Sequence, residues 1–453
     1  MNVHDSRRIE EVLHDHGYEA TEEPSLADVI VFNTCSVREK AEMKLRSAVG
    51  TYKELKSIKP DLVLVVAGCV AQQEGDKLLR HVPHLDVVIG PDNIPELPAL
   101  VAHVQNGGPP IARTVFDMEG PQFLVARPRT SEREITSFVT VMKGCDERCT
   151  YCIVPHTRGP ERYRAADEIL SEIQRLVAGG VREITLLGQT VNSWHSKGSG
   201  EGESEFPQLL RRVAHETPDL LRLRYTSPHP RHLTDALIDA HAELPVLPRH
   251  VHMPVQSGSD RMLKRMLRRY TASDYVTRVN KLKAKVPGLT LSTDMIVGFP
   301  GETEEDFEAT LTLVREAAFV ACFGFKYSPR PFTPALKLED DVPEEVKDER
   351  LARLFALVAE QQTANLASLV GTTQRVLLET ADESHADRYT GRSDRHELVH
   401  VDVPTGTDPR GELVDAVIVE AYKHSLHGVA QGGQAHKVRV PKRPITRLPL
   451  VAP

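Results

Sequence analysis

Apolar and polar positions follow three successive rhythms along this chain. Over residues 1–115, wholly apolar runs alternate with segments of helical period. "ADVIVFNTC", "DLVLVVAGC" and "LDVVIGPDN" read as buried strands. "DSRRIEEVLHDHG" reads as a helix capped by Asp5 or Ser6 and closed on Gly17, and "VREKAEMKLRSAVGTYKELK" as a long amphipathic helix. Apolar strands separated by helices predict a parallel α/β domain of the doubly wound kind, with ligands beyond the carboxyl ends of the strands. Cys35 and Cys69 both fall just past such an end, so they can converge, although either alone is an ordinary buried cysteine.

Residues 116–134 read as a connection. From about 135 to 335 a strand–helix unit repeats six times, with strands in "SFVTVMKG", "REITLLG", "LRLRYTS", "RHVHMPV", "LTLSTDMIVG" and "CFGFKYS". Six units predict a partial (β/α)6 barrel of the TIM type, with its chemistry at the carboxyl-terminal mouth. A helical connector, "PEEVKDERLARLFALVAEQQTANLASLVG", leads to short alternating runs from 372 onward, which predict a small antiparallel β-barrel. The expected domains are therefore 1–115, 131–368 (barrel plus connector) and 371–437.

Composition narrows the class. A chain of 453 residues exceeds one core, and 40% hydrophobic with 26% charged residues describes a soluble protein. No stretch approaches the ~20 apolar residues of a membrane span, and "MNVHDSRRIE" has no signal-peptide core, so a cytoplasmic protein is expected. A net charge of −8 argues against wholesale nucleic-acid coating but leaves room for local recognition by "RMLKRMLRR" or "HKVRVPKRPITRL". Six cysteines in such a chain point to metal or redox chemistry rather than disulfides.

Three of those six fall in "KGCDERCTYCIVPHTRG", as Cys145, Cys149 and Cys152, just after the first barrel strand. Two metals fit thiolates so spaced. Zinc would close its shell with His156 as a fourth ligand. An iron–sulfur cube held by three thiolates keeps one iron free for a small molecule offering an amine and a carboxylate, such as S-adenosylmethionine. The C-x3-C-x2-C spacing with Tyr151 before the last cysteine is the radical-SAM signature. Polar or glycine-bearing turns follow other barrel strands: "LLGQTVN" (Gln189, Asn192), "PVQSGSD" (Gln256, Ser257) and "IVGFPGETEEDF" (Gly298, Gly301). Each alone is more often a plain turn, but glycine bares backbone donors, and "GFPGE" reads as a backbone cradle for adenine. Cys322, inside an apolar strand, reads as a core residue.

With these motifs together, and with "NTCSVREKAE", "HMPVQSGSDRMLKRM" and "GRSDRHELVHV", the chain resembles the methylthiotransferases of the radical-SAM superfamily over residues 1 to about 430. "NTCSVREKAE" places it nearest the branch that makes 2-methylthio-N6-dimethylallyladenosine in tRNA. The resemblance implies an N-terminal methylthiotransferase domain, a radical-SAM barrel and a C-terminal TRAM domain. It implies replacement of hydrogen by methylthio at C2 of an isopentenylated adenosine beside the anticodon. Two S-adenosylmethionine molecules are consumed, one as methyl donor and one as radical source. Two 4Fe–4S clusters are implied, one on Cys145, Cys149 and Cys152 and an auxiliary one for which Cys35 and Cys69 match two of three ligands. Gln189, Gln256, Gly298 and Gly301 would contact S-adenosylmethionine. The implied partners are a tRNA anticodon stem-loop and an electron donor such as flavodoxin or ferredoxin, with no membrane and a monomeric enzyme. Threonylcarbamoyladenosine or a ribosomal protein is the alternative substrate, and a zinc-stabilised RNA-binding protein without catalysis is the alternative class.

Three departures stand out. The family's "GCQMN"-like turn, with its cysteine and the strand before it, is missing ahead of "VHDS", which implies either a start codon assigned too late or a real truncation. Phe332 replaces the usual glycine in "YSPRPFTPA", and His396 replaces the commoner asparagine in "GRSDRHE".

Overall fold

The computed structural model describes residues 2–35, 41–118, 123–125, 134–196, 202–339 and 341–431. Its first helix, Asn2–His14, starts before the expected caps. Asp5 lies inside it and turns its carboxylate to Arg158 instead of to the helix end. Strands Val29–Thr34, Val63–Gly68, Val87–Ile89 and Ile111–Arg113 pair in parallel in chain order. The last of them escaped the sequence reading because three residues carry no period. Successive residues of Val63–Gly68 feed opposite cores. Val63, Val65 and Ala67 pack with Ile9 and Leu97, while Leu64 and Val66 pack with Leu45 and Leu78. That two-sided burial is why the run is apolar throughout. The long helix expected after the first strand is two, Ala41–Thr51 and Lys53–Ile58, broken at Tyr52 after the weak helix formers Gly50 and Thr51. Residues 36–40 of that expectation lie outside the described residues, as do most of the connection 116–134 and the basic tail.

The six barrel strands are Thr136–Thr140, Glu183–Leu187, Arg222–Tyr225, His250–His252, Thr290–Val297 and Ala321–Lys326. They pair in parallel as two three-stranded sheets, first to third and fourth to sixth. Among the described residues no ladder joins the third strand to the fourth, so the arc is split where a continuous one was expected. The outer face carries the main core, with Ile173, Phe206, Leu223, Leu291 and Phe307 fully buried beneath the helices. The lumen carries polar groups, which cannot interdigitate as apolar layers do. A cavity of about 710 Å³ remains at the amino ends of the strands, lined by Glu183, Arg224, His250 and His252 among others.

The connector is one helix, Glu344–Ser368. Beyond it, strands Thr373–Ala381, Arg388–Ser393, Leu398–Asp402, Leu413–Ala421 and Leu426–Ala430 close into a barrel. It is not wholly antiparallel: Leu398–Asp402 and Leu426–Ala430 run parallel. That fifth strand carries little period in the sequence because His427 and Gly428 interrupt its apolar alternation. Inside, the Arg388 Nε and His427 Nε2 lie 2.6 and 2.9 Å from the two oxygens of buried Asp402.

The small barrel docks beneath the large one, at the end opposite the cysteine loop. Arg222, buried at the start of the third barrel strand, donates to Asp394 Oδ1 at 3.0 Å, to the Arg392 carbonyl at 2.7 Å and to the Arg375 carbonyl at 3.1 Å. A lysine cannot reproduce that fork. Arg222→Lys is therefore expected to cost about 1–3 kcal/mol, seen as a lowered melting temperature and earlier proteolytic release of the small barrel.

Candidate active site

The cysteine loop is held as a closed hairpin at the mouth. Met142–Lys143 pairs antiparallel with Arg162–Tyr163, and the Cys145 N–H donates to the Gly159 carbonyl at 3.1 Å. Gly144 sits at φ +76°, where a Cβ would strike the carbonyl oxygen of Pro160, so only glycine fits. Thr150 anchors the far side: its N–H donates to Met266 O at 3.1 Å and its carbonyl accepts from the Ala335 N–H at 2.9 Å.

Cys145 and Cys149 are buried and Cys152 half-buried, all unbridged. The Cys145 Sγ lies 3.0 Å from the Thr190 hydroxyl, and the Cys149 Sγ accepts from Arg268 Nη1 at 3.4 Å. Burial pushes the Cys145 and Cys152 thiols up to about 12, and neighbouring thiolates push further in the same direction. Such thiols give up their protons to a metal rather than to water. The three sulfurs are not gathered within 4.8 Å of one another, whereas ligands on one tetrahedral zinc stand about 3.8 Å apart. His156 is exposed and packs against Phe332, ring centroids 5.7 Å apart, instead of completing a Cys3His shell. The loop thus brings three thiols to the mouth, and His156 does not join them as a fourth ligand.

The other expected contacts divide. The Gln189 Oε1 is buried without a hydrogen-bond partner beside the cysteine loop, as an acceptor awaiting an ammonium group would be. Gln256 sits at φ +76°, pinned by its N–H to Asp294 O at 2.9 Å. Ser257 serves the fold, meeting Thr310 at 3.3 Å and the Ser259 N–H at 3.2 Å. Asn192 is a brace: its Nδ2 donates to His229 O at 3.0 Å and its Oδ1 accepts from the His229 N–H at 2.7 Å. The glycine turn is not the bare cradle expected. The Gly298 N–H donates to Glu302 at 2.7 Å and the Gly301 N–H to Asp341 at 2.6 Å, because carboxylates follow within reach. What the turn supplies is shape. Gly298 is at φ +68°, and a Cβ there would run into Lys347. Gly298→Ala is expected to cost about 1–2 kcal/mol in a thermal melt, from left-handed strain, and to weaken S-adenosylmethionine binding by titration.

The basic run "RMLKRMLRR" is mostly occupied. Arg261 pairs with Asp306, and Arg265 donates to Pro300 O at 3.1 Å. Arg268 points inward, donating to Cys149, to Pro254 O at 2.9 Å and to the Tyr270 hydroxyl at 2.8 Å. A run of cations does not reveal which one is buried.

The N-terminal domain closes over this mouth. Thr34 and Gly68 are direct partners, so Cys35 and Cys69 emerge side by side, as their placement in the sequence implied. The Cys69 Sγ accepts from Arg158 Nε at 3.3 Å, and the same guanidinium pairs with Asp5. Burial opposes the charge on both partners, yet each outweighs it for the other: Asp5 is held well below the usual carboxylate range and Arg158 above its ordinary value. Asp92 of the same domain takes Lys143 at 3.1 Å and also Arg162. Two buried acids thus receive three cations that flank the cysteine triplet. The sequence pattern offers Asp5 only as a helix cap and gives no sign of the other four, although "VHDS" and "PHTRG" contain Asp5 and Arg158.

Comparison with known proteins agrees with this geometry. A model described as the Radical SAM superfamily matches residues 139–314, and one described as Uncharacterized protein family UPF0004 matches residues 1–90. A curated protein of Sorangium cellulosum named tRNA-2-methylthio-N(6)-dimethylallyladenosine synthase is 60% identical, over 94% of this chain and 90% of that protein. One of Bordetella avium with the same name is 43% identical, over 95% and 90%. Among solved structures, the radical S-adenosylmethionine methyltransferase TsrM of Kitasatospora setae has the same fold at TM-score 0.53 and 16% identity, covering 84% of this chain and 76% of that one.

Proposed function

This chain belongs to the radical SAM tRNA-2-methylthio-N(6)-dimethylallyladenosine synthase family, and from that premise we propose a role for each part of the mouth. The protein is a radical SAM methylthiotransferase that adds a methylthio group to C2 of N6-isopentenyladenosine in tRNA. Its cofactors are 4Fe–4S clusters and S-adenosylmethionine, which supply the one-electron cleavage and the methyl group that an unactivated aromatic C–H bond demands.

Cys145, Cys149 and Cys152 hold the cluster that meets S-adenosylmethionine, and Cys35 and Cys69 are two ligands of the auxiliary one. Gln189 accepts from the cofactor's ammonium group. Arg268 balances thiolate charge beside Cys149, and Arg158 does so beside Cys69. The N-terminal domain excludes water from the mouth through Asp5 and Asp92. The target base reaches this depth only when unstacked, which an anticodon loop permits. The small barrel lies at the far end, so it meets the RNA stem rather than the reacting base. A monomer acting in the cytoplasm with a flavodoxin- or ferredoxin-like donor fits this reading, and among the described residues no helix is long and apolar enough to cross a membrane.

The observation that carries the assignment of roles is the convergence of two cysteine sites on one mouth, with Arg158 donating to Cys69 from the loop that holds the triplet. Mass spectrometry of nucleosides tests the substrate. tRNA bearing isopentenyladenosine, incubated with reconstituted enzyme, is expected to gain the methylthio mark there. A mark found only on threonylcarbamoyladenosine or on a ribosomal protein would move the chain to another branch.

A further inference from the structure

At the rim of the mouth lies a group of polar side chains that the reaction does not use. The loop after the third barrel strand brings His229, Arg231 and His232, and the cysteine loop brings Glu147. The ligand atoms of Glu147, His229 and His232 lie within 4.8 Å of one another. The Glu147 Oε1 is 3.4 Å from His232 Nε2 and 3.5 Å from Arg231 Nη1. The Glu147 Oε2 and the His229 Nε2 are buried without hydrogen-bond partners, and His229 is only 5% exposed. Arg269, from the segment after the fourth strand, is exposed and has no hydrogen-bond or ion-pair partner among the described residues. Its backbone and that of Leu267 are both left-handed at φ +56°, a conformation uncommon for non-glycine residues.

Such a trio resembles a divalent-cation site, but two features oppose that. The His229 Nδ1 accepts the Arg231 N–H at 3.3 Å. Burial, then Arg268, His232, Arg231 and Arg269, hold the ring well below its ordinary pKa, so it is neutral. A neutral ring accepting at Nδ1 carries its hydrogen on Nε2 and offers a donor, not a lone pair. Moreover, the Glu147 carboxylate pairs with Arg231 and also feels the charge of Arg269, while Arg268 acts on His229. The local balance is positive, and the unfilled hydrogen-bonding capacity includes a buried N–H.

We propose that Arg231 and Arg269, backed by the Nε2–H of His229, grip an RNA phosphate beside the target nucleotide. This rests on the tRNA reading given above. The carboxylate of S-adenosylmethionine shares the needed chemistry, but that cofactor must sit at the depth of the buried cysteines. Arg231 (side chain 45% exposed) and Arg269 stand at the solvent edge. A nucleotide swung out of its stack into the mouth leaves its flanking phosphates at that edge. A chain of net charge −8 holds a polyanion through local basic clusters, and this is one of them.

The test is fluorescence polarisation of an isopentenylated anticodon stem-loop on anaerobically reconstituted holoenzyme at several salt concentrations. The variants are Arg231→Gln and Arg269→Asn, the latter because asparagine tolerates left-handed backbone. Each is expected to weaken binding roughly fivefold near 0.1 M salt and to reduce the slope of log K against log salt by about 0.7. S-adenosylmethionine affinity should stay unchanged. Wild-type affinity and slope in both variants would overturn the grip, as would a loss confined to S-adenosylmethionine affinity. A stoichiometric divalent metal lost in Glu147→Gln would overturn it in favour of a cation. Wild-type holoenzyme that ignores the stem-loop would overturn the substrate reading beneath it.

Discussion

Cys149→Ala is expected to reduce the cleavage of S-adenosylmethionine to the level of a cluster-free control while leaving the chain folded. Three thiolates are the fewest that hold a cube with one iron open, and this cysteine is the middle of the triplet. Its loss removes the coordination that binds the cofactor, so no slower version of the reaction survives. The structural cost is small by comparison. Arg268 loses its contact to sulfur but keeps the Pro254 carbonyl and the Tyr270 hydroxyl, so stability should fall by only about 1 kcal/mol. Chromatography of 5′-deoxyadenosine alongside a thermal melt separates the two effects. A variant that loosens markedly yet never had redox chemistry to lose would favour a structural metal.

Arg158→Met is expected to destabilise the chain by about 3–5 kcal/mol, because it leaves the Asp5 carboxylate buried without its partner. Asp5→Leu should be similarly costly, since among the described residues the guanidinium then keeps only the Cys69 sulfur as a partner. The double variant should recover part of the loss, because an apolar pair of similar volume needs no charge compensation. Acid pH makes an independent check. The folded-state pKa of Asp5 is depressed, so its contribution is complete above the ordinary carboxylate value of about 4. It is lost as pH falls through the folded value. Wild type should therefore lose stability in that acid range more steeply than the double variant does. Since the pair also fixes Arg158 against Cys69, the single variants should lower iron retention at the auxiliary site more than at the triplet. Urea melts with iron analysis would show this, and equal retention at both sites would contradict it.

Much of this architecture was legible because its residues obey short-range rules. Strands buried on both faces must be apolar throughout, so Val63–Gly68 showed in the pattern, whereas the six barrel strands showed by their regular recurrence between helices. The triplet's spacing and its place after the first barrel strand located the mouth. Features set by long-range contact did not show. Nothing local marks Asp5 as a partner for Arg158, 153 positions away, or Arg268 as the buried cation of a basic run. The glycine turn misled because its donors are claimed by Glu302 and Asp341, which are ordinary acids when read in sequence. The docking of the small barrel beneath the large one depends on Arg222, and an arginine in a strand looks the same whether it meets water or a carbonyl fork.

Iron and sulfide content, measured per anaerobically reconstituted chain in wild type and in the Cys145/Cys149/Cys152→Ala variant, bears most directly on the whole account. Loss of about four irons and four sulfides in the variant is the result expected of a cube seated on these sulfurs. Equal iron in both proteins, or a single zinc per wild-type chain that vanishes with the three thiolates, would contradict it.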